Sequence, residues 1–383
     1  MKLHRIGPTV AIAMAASLTL AACGDDAPTT SANEGSEGSS DESDGGSESA
    51  DADGDAGGEQ LTGDVVASGA SSQEAAMTAW IAGYQGVQPE VTVQYNSVGS
   101  GAGRENLIAG ASDFIGSDAY LDEDERAAVV DSCGDGGALH VPVYISPVAV
   151  PYNLPGVDGL QLKPDTLAQI MNQDITAWDD PAIAEDNPDA ELPDTEITVV
   201  HRSDDSGTTE NFMEYLSAAA PDSWPHEADA AWPVSAEAAA QNTGVIEVIN
   251  QNEGTIGYAD ASVVTGQAAA VGVGDEFVEF SPEAAARVVD ASEPADTGLD
   301  GDMALELARD TTESGAYPIV LVSYHVACTS YDDAERANLV KDFLNYVVSE
   351  EGQSTASEAA GSAPISETTR ESALSLIDTI QGG

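Results

Sequence analysis

Arg202 stands four residues before Ser206-Gly207-Thr208-Thr209, with Asp204 between them. The Ser-Gly-Thr-Thr run opens an apolar-periodic stretch and predicts a helix N-terminus. Such an end offers unpaired backbone N–H groups and a partial positive charge. Hydroxyls and a guanidinium fork beside it suit a small tetrahedral oxyanion. Ser68-Gly69-Ala70-Ser71-Ser72 and Gly99-Ser100-Gly101-Ala102-Gly103 repeat the pattern of strand, small hydroxyl and glycine residues, then helix. A further strand end places Asp118 after Phe114-Ile115-Gly116-Ser117. Glycine serves where backbone must approach a ligand closely, and each Ser or Thr adds a donor that can also cap the helix. One such turn reads as a plain helix cap; several together, with an arginine, read as an anion site.

Competing chemistries fit poorly. Gly99-Ser100-Gly101-Ala102-Gly103-Arg104 lacks the final glycine of a dinucleotide turn, and no lysine follows as in a P-loop. A Gly-x-Ser-x-Gly hydrolase elbow is missing. His140, His201, His226 and His325 are isolated in sequence and read as structural or surface residues. No His–His or His–carboxylate spacing points to a metal, and no cofactor is expected. A secreted phosphatase would need an activated nucleophile or two metals, and neither is visible.

The elements that must hold these turns alternate. Val65–Ala67, Val91–Tyr95, Phe114–Gly116, Ile197–His201 and Thr255–Ala259 read as short strands, and His140–Tyr152 and Tyr317–Val326 as long apolar ones. Helices are expected through Ala76, Met77, Trp80, Ile81 and Tyr84, from Arg104 to Ala109, from Thr208 to Ala219 and from Ala334 to Ser349. The alternation predicts an α/β fold with largely parallel pairing, in which ligands sit beyond the carboxyl ends of strands.

The chain has 383 residues and a formal charge of -57, from 68 Asp and Glu against 11 Lys and Arg. That surface repels nucleic acid and anionic lipid, and reads as solubilising. No complete calcium loop is present; Asp51-Ala52-Asp53-Gly54-Asp55 lacks the remaining ligands. Lys2, Arg5 and the apolar run Ile6–Leu20 form an export signal, too short to span a membrane comfortably. Leu20-Ala21-Ala22-Cys23 resembles a bacterial lipobox with Cys23 as the lipidated residue. Gly24–Gln60 is Gly, Ser, Asp and Glu and reads as a disordered acidic tether. Cys133 and Cys328 remain; an even remainder in an exported chain predicts one disulfide rather than a metal site.

From about Leu61 to the C-terminus the chain resembles the bacterial phosphate-binding proteins of ABC uptake systems. The resemblance rests on Gly99–Gly103, Asp113-Phe114-Ile115-Gly116-Ser117-Asp118, Ile175-Thr176-Ala177-Trp178-Asp179-Asp180-Pro181, Arg202–Thr209, Gly254–Ala259, Tyr317-Pro318-Ile319-Val320 and Ala363-Pro364-Ile365-Ser366, in family order. It implies a two-domain, hinged periplasmic-binding-protein fold of type II, with mixed, mostly parallel sheets and helices on both faces. Residues 61–144 and 318–383 would form domain I and 145–317 domain II, after 1–23 as signal and 24–60 as tether. It also implies a monomeric, non-enzymatic binder of inorganic phosphate, lipid-anchored outside the cell membrane, that serves the permease and ATPase subunits of an ABC transporter. Carried over by position, Ser71, Ser72 and Ser100 match the first domain's anion turns, and Asp118 the carboxylate that faces phosphate. Arg202, Ser206, Gly207 and Thr208 match the opposite turn, and Asp204 the acid that orients the arginine. The chain departs at Ser71-Ser72-Gln73, where the family often has Thr followed by Phe. Backbone donation survives that change; an aromatic wall does not. Sulfate, molybdate or arsenate binding is the alternative, and Asp118 argues against an anion without a proton to donate.

Overall fold

The computed structural model describes residues 60–383. The export signal, Cys23 and nearly all of the acidic tether lie outside the described residues. Two sheets organise the chain. Their strands are β1 (Gly63–Gly69), β2 (Val91–Ser97), β3 (Phe114–Ser117), β4 (Ala138–Ala149), β5 (Pro151–Asn153), β6 (Thr198–Arg202), β7 (Glu237–Ala239), β8 (Thr255–Gly257), β9 (Ala259–Asp260), β10 (Gln267–Ala268) and β11 (Val320–Cys328). The first sheet runs β9-β4-β11-β3-β1-β2 and the second β10-β5-β8-β6-β7.

Within these two sheets parallel pairing is confined to β1 with β2 and β3, and to β6 with β7 and β8. The other pairs are antiparallel, so the sheets are mixed and less parallel than the strand–helix alternation predicts. The difference lies in the two long apolar runs. β4 and β11 pair antiparallel from Ala138↔Cys328 to Pro147↔Val320, every residue of both buried, with a register irregularity between Ser323 and Tyr324. The run expected through His140–Tyr152 divides at Val150: β4 belongs to the first sheet and β5 to the second. Tyr258 divides β8 from β9 in the same way. The stretch 145–317 therefore contributes to both sheets. Its helix Pro282–Asp290 also packs on β4 and β11, and its Asp302 pairs with His140 of β4 at 2.7 Å.

Crossover helices join the parallel strands, as parallel pairing requires. They include α1 (Glu74–Val87) and α2 (Ser100–Ile108), followed by α3 (Glu123–Cys133), and in the second half α4 (Gly207–Ala219) and α5 (Gln241–Gln251). Helix α1 buries Ala76, Met77, Trp80 and Tyr84 at helical spacing, and leaves Ile81 only partly covered. It lies on α6 (Ala334–Val348), where Tyr84 meets Phe343 edge to face at 5.1 Å. Burying a side chain such as Phe343 contributes roughly 1.5–3 kcal/mol over leaving it exposed. Helix α2 starts at Ser100, four residues before the predicted start. Glycine stands in this helix where neighbours leave no room for a side chain: a Cβ on Gly103 would lie 2.6 Å from Gly69 Cα. Cys133, ending α3, and Cys328, ending β11, form the expected disulfide across a sequence separation of 195. No helix among the described residues is long and apolar enough to cross a membrane.

Candidate functional site

Asp118 follows directly on β3 and is 4 % exposed. Its Oδ1 accepts hydroxyl hydrogen bonds from Ser72 and Ser323, each at 2.5 Å, and its Oδ2 one from Thr208 Oγ1 at 3.3 Å. Its N–H donates to Ser100 Oγ at 3.2 Å, and its carbonyl accepts from Asn211 Nδ2 at 2.7 Å. Ser72 precedes α1, Ser100 opens α2, Thr208 and Asn211 lie in the first turns of α4, and Ser323 lies on β11. One carboxylate thus gathers groups from both sheets. Burial pushes its carboxyl above the ordinary value, against the hydroxyls of Ser323 and Ser72, the Arg202 charge and Thr208.

Arg202 ends β6 and is 2 % exposed. Its Nε donates to Asp204 Oδ1 at 2.9 Å, and a second guanidinium nitrogen meets Asp204 Oδ2. The Gln241 N–H adds a bond to Asp204 Oδ1 at 3.0 Å. Burial raises the Asp204 carboxyl, but the bond and charge of Arg202 outweigh it and hold the group below its usual range. The fork is fixed while donors remain for an anion, since a guanidinium carries five. The Ser206 hydroxyl caps α4 by accepting from Thr209 N–H at 3.2 Å.

Glycines let these parts meet. A Cβ on Gly207 would lie 2.6 Å from both Asp118 Cβ and Ser100 Oγ. One on Gly101 would lie 2.6 Å from Asp205 Cβ, and Gly101 N–H donates to Asp205 O at 3.3 Å. Gly99 sits at φ 97 before α2, a conformation costly for any side chain.

The nine predicted residues Ser71, Ser72, Ser100, Asp118, Arg202, Asp204, Ser206, Gly207 and Thr208 therefore lie in one cluster. Ser71 joins it through Asn242, whose Nδ2 donates to Ser71 Oγ at 3.2 Å and lies 3.4 Å from Thr208 Oγ1. Asn242 opens α5, so a fourth helix N-terminus reaches the cluster that the sequence reading did not include. It also missed Asn211, Gln241 and Ser323. The signal for Ser323 was available: it and His325 are polar positions inside the buried strand Val320–Cys328. A cavity of about 780 Å³ runs outward from Asp118 past Tyr120, Glu214, His226 and Arg309. Of the predicted set only Asp118 lies on its wall.

The hydroxyls of Ser72, Ser323 and Thr208 donate to one buried carboxylate, with three strand-to-helix turns and a held guanidinium around it. That set can hold a tetrahedral oxyanion and can accept one proton from it. A fully deprotonated oxyanion would leave Asp118 facing like charge without a hydrogen bond. Among the described residues no His, Cys, Asp and Glu group could hold a metal ion.

Comparison with known proteins places this arrangement. The PBP superfamily domain matches residues 45–351. The phosphate-binding protein PstS 3 of Mycobacterium tuberculosis H37Rv is 33% identical over 354 residues, covering 91% of this chain and 92% of its own. The phosphate-binding protein PstS of Methanocaldococcus jannaschii is 32% identical over 338 residues, covering 82% and 85%. Among solved structures, a high-affinity periplasmic phosphate-binding protein bound with phosphate superposes with TM-score 0.66 at 20% identity, over 81% of this chain and 92% of its own. A candidate phosphate ABC transporter substrate-binding protein from Clostridium perfringens, with phosphate bound, superposes with TM-score 0.57 at 21% identity, over 78% and 98%. The fold is that of type II periplasmic binding proteins, and the chain belongs to the PBP superfamily and, within it, to the PstS phosphate-binding proteins.

Proposed function

We propose that this chain captures inorganic phosphate between its two sheets and delivers it to an ABC transporter. The observation that carries the reading is Asp118, a buried carboxylate inside a shell of hydroxyl and helix N-terminal donors with Arg202 charged nearby. Phosphate near neutral pH keeps at least one proton, which Asp118 can accept. Ser71, Ser72, Ser100, Arg202, Ser206, Gly207 and Thr208 supply hydroxyl, backbone and guanidinium donors to the remaining oxygens, and Asp204 holds the arginine.

The two domains are those built on the two sheets, 61–144 with 318–383 and 145–317. β9 and the Pro282–Asp290 helix of the second stretch attach to the first sheet. The single residues Val150 and Tyr258, where the chain passes between sheets, are the hinge. Export through the N-terminal signal and lipidation at Cys23 would hold the monomer on the outer face of the membrane, with the acidic tether giving it reach to the permease. Binding rather than turnover is its task.

Titration calorimetry of ligand-stripped protein tests this. Phosphate should bind, arsenate should bind measurably because it shares phosphate's shape and protons, and sulfate should not compete. Sulfate affinity equal to that for phosphate would remove the reading.

A further inference from the structure

We propose that a buried relay, His325–Gln73–Ser323, holds Asp118 as an obligate hydrogen-bond acceptor and so sets which oxyanions the cleft admits. The inference rests on the phosphate reading and extends it to residues behind Asp118.

Proton directions along the relay follow from one carbonyl. Tyr324 O can only accept, so the Gln73 nitrogen that lies 3.2 Å from it is a donor. The same nitrogen donates to Ser323 Oγ at 2.6 Å. The other end of the amide is then its oxygen, and it faces His325 Nε2 at 3.1 Å. His325 must therefore carry its proton on Nε2. The ring lies among Trp80, Phe114 and Phe343, with centroids at 5.5, 4.8 and 6.2 Å. Burial there pushes it down to about 3, so it is neutral and has one N–H to give. Its Nδ1 has no partner among the described residues.

With its lone pair filled by Gln73, Ser323 gives its hydroxyl proton to Asp118 Oδ1 at 2.5 Å, beside that of Ser72. Two hydroxyl donors on Oδ1 disfavour a proton there. Oδ2 meets Thr208 alone among the described residues, at 3.3 Å, and is the oxygen left to receive a ligand's hydroxyl. Ionisable groups that act on Asp118 include Arg202, Asp260 and Tyr95, of which Arg202 is the cationic one. The relay offsets part of the burial cost of the ionised carboxylate without adding charge.

The backbone is shaped for it. The register irregularity between Ser323 and Tyr324 brings a side chain and the next carbonyl to one amide. Gly116 leaves the passage open, since a Cβ there would lie 2.8 Å from Gln73 Oε1 and 2.5 Å from Tyr95 OH.

The test is the ratio of sulfate to phosphate affinity across pH, measured calorimetrically on the full chain. In the wild type, sulfate gains as Asp118 takes up a proton on acidification. Ser323→Ala should move that gain upward by about one to two pH units, the loss of one hydrogen bond to a charged group. Gln73→Met should move it the same way, and Ser323→Thr should restore the wild-type profile. Folded Ser323→Ala and Gln73→Met variants with the wild-type profile would overturn the relay. Should either variant misfold, ¹⁵N chemical shifts of His325 in the wild type decide: protonation on Nε2 supports the relay and protonation on Nδ1 sinks it. A wild type that binds no phosphate removes the function reading itself, and the relay with it.

Discussion

A carboxylate at the centre of an anion site is tolerable only if the anion brings a proton. Asp118 meets that condition by position: its charge is buried, its Oδ1 is occupied by hydroxyls, and Arg202 supplies opposite charge nearby. Asp118→Asn keeps the shape and turns one oxygen into a donor. Losing a hydrogen bond to a charged group costs about 1.5–3 kcal/mol, roughly 10- to 150-fold in affinity. Phosphate binding should weaken by that factor while sulfate binding strengthens; calorimetry showing unchanged selectivity would contradict the role. Asp118, Arg202 and the hydroxyl turns were legible because each ends a strand in a run of small residues. Asn211 and Asn242 were not, because each sits in an ordinary helix, and only the packing of both sheets brings them to the cluster; Ser323 showed only as a polar position in an apolar strand. The Ser71-Ser72-Gln73 departure read as a lost aromatic wall; in three dimensions Ser72 gives Asp118 a hydroxyl and Gln73 lies behind it.

Among the elements, helix starts matter more than helix lengths. α1, α2, α4 and α5 all begin at the cluster, and their amide ends concentrate positive potential where the rest of the chain is acidic. Contact at this point is close enough to depend on absent side chains. Gly207→Ala would push a methyl into Asp118 and Ser100, each 2.6 Å from the new Cβ. Overpacking of this kind costs about 1–3 kcal/mol, so phosphate affinity should fall roughly 5- to 150-fold; far-ultraviolet circular dichroism should stay the same. The sequence placed the strands and most site turns but started α2 late, because a Gly-Ser-Gly-Ala-Gly run looks like a loop. It also overstated parallel pairing. Nothing in the local pattern of β4 or β11 says that two apolar strands far apart in sequence will lie antiparallel.

For the whole molecule, acidity sets the pH response. Glu210 of α4 faces Arg104 of α2 at 3.5 Å. Burial, opposed by Arg104 and aided by Glu214, lifts it from 4.5 to about 7. Asp260 is lifted by burial from 3.8 to about 6. Groups raised on folding favour the folded state when protonated, so their contribution is complete below the unfolded values and is lost as pH rises through the folded ones. Asp204 and Asp302 are depressed and act oppositely, losing their contribution only as pH falls below 3.8. The melting temperature should therefore rise as pH is lowered from 8 towards 5 and fall again in stronger acid. Glu210→Gln should flatten part of the rise, and an unchanged slope in that variant would rule out Glu210 as a source. The Cys133–Cys328 link has a separate consequence. It closes a ring on the first sheet, and the whole of the second sheet hangs within that ring. A protease that cuts a surface loop of the second half would sever the backbone without releasing a fragment. A nicked preparation should run as one species on a non-reducing gel and as two after reduction, so the chain can survive cleavage as one covalent body.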